Sequence, residues 1–183
     1  MTQRWAQLYH PPLAEVALAA ALASRGQLGT VRRLRLVSLP LSSVPALELG
    51  SLARCVRGVD YHLDIDGVTW DLGPLLDNIN CTSLSVRNMG LTTADTRALV
   101  AAMVTRVQEV VLGGDVTLDM ETLARYDGRG VCSRLQLGGA TRGRYGDQVE
   151  EWADSRGWTR GGGGSCVSYK RRRSLEVKTL SIV

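Results

Sequence analysis

The chain has 183 residues, 44% of them hydrophobic and 22% charged, with a formal net charge of +4, no phenylalanine and four cysteines. That is one domain's worth of sequence with enough apolar side chains for a real core, and no stretch is long enough to span a membrane. Residues 159–183 alone carry +5, from Arg160, Lys170, Arg171, Arg172, Arg173 and Lys178 against Glu176, which leaves −1 for residues 1–158. The basic character therefore belongs to the tail and not to the body.

In chain order, Pro12 opens an Ala/Leu-rich segment that Gly26 can end, with Leu13, Val16, Ala17 and Ala20 on one side. The run "VALAAALAS" contains Ala21-Leu22-Ala23, which mimics a signal-peptidase site. Glu15 and two prolines interrupt that reading, and only Arg4 supplies positive charge ahead of it. Residues 1–30 are expected to form an N-terminal capping helix.

A first-fourth-sixth apolar pattern then recurs: Val31, Leu34 and Leu36; Val56, Val59 and Tyr61; Cys81, Leu84 and Val86; Val107, Val110 and Leu112; Cys132, Leu135 and Leu137. The copies start 25, 25, 26 and 25 residues apart, a register that predicts a repeat architecture. Residues two apart face the same side of an extended chain, so each copy reads as a short strand. Each strand needs a return. Ser43, Pro45, Leu49 and Leu52 sketch a first helix; Asp71 can cap a second, with Leu72, Leu75, Leu76 and Ile79 on one face and Pro74 in its first turn. Thr92-Thr93 offers a cap to a third, with Asp95 in its first turn and a stripe of Ala98, Leu99, Ala102 and Met103. Thr117 is read as the cap of a fourth, closed near Gly128. Tyr145, Val149, Trp152 and Ala153 then fall at helical spacing, with Gly157 as terminator and Trp158 folding back, as the last packed element.

A strand with apolar residues at those positions, followed by a helix and repeating at this length, resembles the leucine-rich repeat. The helical return makes residues 31–158 similar to the ribonuclease-inhibitor-like subtype found in the C-terminal region of NOD-like receptors, and "LSVRNMGL" carries the closest match. The resemblance implies an α/β fold: a leucine-rich-repeat solenoid of about five strand-helix units with flanking capping helices. It also implies a non-enzymatic module for protein-protein recognition, with the ligand on the concave strand face and a link to innate immunity. The Asn or Cys of the family's ninth position is replaced here by Leu39, Asp64, Met89, Asp115 and Ala140, with Asn88 one residue early. No GxxxxGK[ST] accompanies it.

If the apolar positions point inward, the alternate ones line an exposed face. The candidate binding residues are Arg33, Arg35, Asp60, His62, Ser85, Arg87, Val111 and Arg134. Arg33, Arg35 and Arg87 would meet an acidic stretch of a protein partner; the alternative is that all of these are solvated strand positions. No CxxC occurs, and His10 and His62 are too scattered for metal-ligand spacing, so neither a metal nor a cofactor is expected. Cys81 and Cys132 replace strand valines and read as reduced core residues. Cys55 with His62 could be drawn as nucleophile and base, but no third orienting group is indicated and no enzyme is expected.

Residues 159–183 read as a Gly-rich linker, "GGGGS", and a basic tail. Lys170 to Arg173 form a single short cluster, so nucleic acid is not expected as a partner, and Ser174 behind the arginines could be phosphorylated. Ser181-Ile182-Val183 resembles a PDZ-domain ligand, which makes an adaptor acting through the tail the alternative function. The expected location is cytoplasmic.

Overall fold

Period-two alternation of Leu, Val and Ile with polar residues builds one eight-stranded sheet. The computed structural model describes residues 5–9, 31–37, 57, 59–67, 72–162 and 166–171. The strands are β1 (Trp5–Tyr9), β2 (Val31–Val37), β3 (Val59–Asp66), β4 (Ser83–Arg87), β5 (Glu109–Gly113), β6 (Arg134–Gly138), β7 (Trp158–Gly161) and β8 (Cys166–Arg171). Their order is β1-β2-β3-β4-β5-β6-β8-β7. From β1 to β6 every pair is parallel, whereas β8 runs antiparallel to both β6 and β7. The described helices are α1 (Gly73–Leu76), α2 (Thr93–Thr105), α3 (Met120–Ala124) and α4 (Gly139–Ser155).

The expected leucine-rich-repeat solenoid does not form; among the described residues the chain folds as a mixed sheet, parallel and then antiparallel, with few and dissimilar helices. Two physical causes are visible. The hydrogen-bonded ladder aligns Leu34, Leu63, Leu84, Val110 and Leu135, which lie 29, 21, 26 and 25 residues apart, so the even interval is absent. The returns also differ too much to stack as equivalent layers, with helices of 4, 13, 5 and 17 residues. The misaligned copy is the second: Val59 is buried as expected, but the ladder positions are held by Leu63 and Ile65, and Tyr61 is not in the core. A register shift between Val31 and Arg33 sets one extra β3 residue against β2, and this bulge leaves Tyr61 exposed on the outside.

Leu36, Leu63, Ile65, Leu84, Val86, Val110, Leu112, Leu135, Leu137, Val167 and Tyr169 project from one sheet face into a single apolar cluster. Leu75 and Leu76 of α1, Leu99 and Met103 of α2, Leu123 of α3, and Val149 and Trp152 of α4 belong to the same cluster. The opposite face is polar.

Local chemistry fixes the returns. At the start of α2, the Thr92 hydroxyl accepts from Asp95 N at 3.1 Å while Asp95 Oδ2 accepts from Thr92 N at 3.0 Å, a reciprocal cap at the expected position. The other carboxylate oxygen of Asp95 accepts from Leu72 N at 2.6 Å and ties α2 to the preceding return. For α3 the cap is Asp119, which accepts from Thr122 N at 3.2 Å, and not Thr117. The shift has a plain reason: Thr117 is held by backbone bonds to Met89 O and from Leu91 N.

A left-handed residue follows each of four successive strands, at Gly67, Asn88, Gly114 and Gly139. It turns the chain off the sheet. Asn88 tolerates φ of +50° because its amide is committed, donating to Asp66 Oδ1 at 2.8 Å and accepting from Asp115 N at 3.1 Å. Asn88, Gly114 and Gly139 lie one position before the one at which the leucine-rich-repeat pattern places its turn residue, whereas Gly67 falls three positions after it.

After α4, Gly157 adopts φ of +70° and Trp158 returns to the core 5.4 Å from Trp152, as the spacing predicts. Packing does not stop there. Residues 159–161 and 166–171, whose composition reads as linker and tail, complete β7 and form β8 and bury Val167 and Tyr169. Within the expected N-terminal element, residues 1–30, Trp5–Tyr9 are strand β1; its helical part from Pro12, the Ser43–Leu52 return, the Asp71 cap, Cys55 and the PDZ-like terminus lie outside the described residues.

Candidate functional site on the polar sheet face

The register brings the outward residues into rows that cross the strands. One row runs Arg33, His62, Ser83, Glu109, Arg134 and Lys170; the next runs Arg35, Asp64, Ser85, Val111, Gln136 and Ser168. On β4 both row members are serines and on β5 one is Val111, whereas β2 carries two arginines and β3 carries His62. The step between them makes a depression of about 460 Å³, lined by Arg33, Arg35, Tyr61, His62, Asp64, Ser83, Arg87, Glu109 and Val111 among others.

Ion pairs order its rim. Asp64 is buried and lies between two guanidiniums, 3.1 Å from Arg35 Nε and 3.5 Å from Arg87 Nε. Arg35 also reaches Asp66 at 3.0 Å. Arg87 Nε donates to Ser85 Oγ at 3.0 Å, which explains how so small a polar residue is covered. On the other side, Glu109 accepts from Gln136 Nε2 at 3.0 Å and pairs with Arg134 at 3.2 Å. The Arg33 guanidinium sits over the Tyr61 ring, 5.5 Å from its centre.

His62 Nδ1 lies 3.0 Å from Ser83 Oγ. Burial holds the His62 pKa below its ordinary value; Arg33 and Arg87 push in the same direction, while Asp64 and Glu109 oppose them. The Cys81 and Cys132 thiols are free, buried and pushed up to about 11 by desolvation. They are poor nucleophiles in that state. Among the described residues, no group of three or more His, Cys, Asp or Glu is placed to hold a metal. No helix among them is long and apolar enough to cross a membrane.

Of the sequence-predicted residues, Arg33, Arg35, His62, Arg87 and Val111 line the depression. Ser85 lies beneath Arg87, and Arg134 stands to one side paired with Glu109. Asp60 is exposed outside it. Sequence reasoning missed Tyr61 and Asp64, the first read as core and the second as a turn residue. One signal was present: polar residues at 60, 62, 64 and 66 continue the alternation well past the five residues of a typical copy.

Compared with known protein families, curated proteins and solved structures, the chain matches none, so no relative identifies a leucine-rich repeat or a NOD-like family.

Proposed function

We propose that the chain is a protein-recognition module that holds a partner segment in the depression on the polar sheet face. The observation that supports this reading is the ordered rim: Asp64, Ser85 and Glu109 restrain the arginines in advance, so binding costs little additional side-chain freedom. Strands on one continuous hydrogen-bonded sheet supply a rigid floor.

Val111→Trp fills the floor without removing a member of any ion pair. Affinity purification from native extract, with the wild type and this variant side by side and folding checked by circular dichroism, is expected to show partners held by the wild type and lost from the variant. Identical capture removes the reading.

The tail-driven adaptor is separated by truncation after Arg171. Cutting after Trp158 would confuse the two readings, because residues up to Arg171 belong to the sheet.

A further inference from the structure

The depression is lined by both signs of charge, but they are not equally presented. The Asp64 and Asp66 side chains are 13% and 17% exposed, against 33% for Arg35 and 45% for Arg87. Glu109 and Arg134 show the same order, at 29% and 42%. Each carboxylate lies beneath the guanidinium that it holds, so an approaching ligand meets cations first. Coulomb attraction falls with distance and with solvent screening, which makes the outermost charges decisive.

Arg87 is the most developed of these cations. Its stem lies over Gly113, where a Cβ would come within 3.5 Å of Cγ. Both of its contacts, to Ser85 and to Asp64, use Nε. Among the described residues its two terminal nitrogens have no hydrogen-bond or ion-pair partner. A guanidinium fixed through Nε, with its terminal pair uncommitted, presents a planar two-donor end to an oxyanion.

We propose that the occupant of the depression is an acidic peptide segment. One Asp or Glu carboxylate sits end-on at the terminal nitrogens of Arg87, and a second faces Arg33 above Tyr61. The proposal rests on the recognition-module reading and names its ligand class. A protein segment fits better than a nucleic acid because the arginines stand on alternate strands, with no Lys or Arg on β3 or β5, where a regular phosphate chain needs an unbroken track.

The test uses the full chain and three fluorescein-labelled probes: a Glu-Ser alternating peptide, its Gln-Ser counterpart, and oligothymidine of equal length. Fluorescence anisotropy is expected to show the Glu peptide binding at least about ten-fold tighter than the Gln peptide, with the advantage shrinking as salt is raised. Arg87→Gln is expected to remove most of that advantage, and Arg33→Gln, at a more peripheral site, serves if the first variant does not fold. Equal binding of the two peptides, an unchanged advantage in a folded variant, or tighter binding of oligothymidine overturns the proposal. If the advantage is absent while Val111→Trp still abolishes partner capture, the acidic ligand is wrong and the recognition module stands. Loss of both effects removes both.

Discussion

Gly114 and Asn88 compete for the same space. A Cβ built on Gly114 would lie 1.9 Å from Asn88 Oδ1, and the glycine holds φ of +65° as well. Gly114→Ala is therefore expected to destabilise the fold by about 3 kcal/mol, from left-handed strain and displacement of the asparagine amide together. Adding Asn88→Gly removes the colliding atom, so the double variant should be more stable than the sum of the single losses allows; urea unfolding of all four proteins measures this. Strictly additive losses would show that the contact is relaxed at no cost. Side chains of this kind were only partly legible in the sequence. Asn88 stood out as a turn residue, but Gly114 was one glycine among 20, and only the close approach of two turns distinguishes it.

At the level of elements, α2 was the most legible because its signals are local. Thr92, Asp95 and the stripe through Leu99 and Met103 lie within one stretch and need no partner to be read. The second role of Asp95, accepting from Leu72 N, was invisible because it spans 23 positions of chain. Asp95→Ala is expected to cost about 3 kcal/mol, more than the ordinary loss of a helix cap, since a buried backbone donor is orphaned as well. Thermal unfolding of Asp95→Ala beside Thr122→Ala, which removes only a contact at the cap of α3, checks the difference. The β3 strand was misread for the opposite reason. Val59, Tyr61, Leu63 and Ile65 all obey period-two spacing, and a bulge that changes which of them face inward leaves no mark on the apolar pattern.

For the whole molecule, the end of the fold was the least legible part. A glycine run and an arginine cluster dominate the composition of residues 159–173, and they masked the pair Val167 and Tyr169, two apart and both buried. Burial of those two side chains, with backbone bonds from β8 to β6 and β7, is what seats the final strands. A chain ending at Trp158 is expected to lose most of its stability and to aggregate through the uncovered β6, because removal of the Tyr169 ring alone costs about 4 kcal/mol in a comparable core. A chain ending at Arg171 keeps the sheet and should melt within a few degrees of the full-length protein. Light scattering and thermal melts of the two truncations check this, and a soluble, cooperatively folding 1–158 fragment would refute it.

The direction reversal at β8 also restricts how such a protein could be enlarged over generations. A duplicated segment carrying one more parallel strand has a ready neighbour anywhere from β1 to β6, and after Arg134–Gly138 it would take over from β6 the antiparallel contact with β8. Growth by tandem copying is thus open up to β8, which with β7 stays as the closing pair.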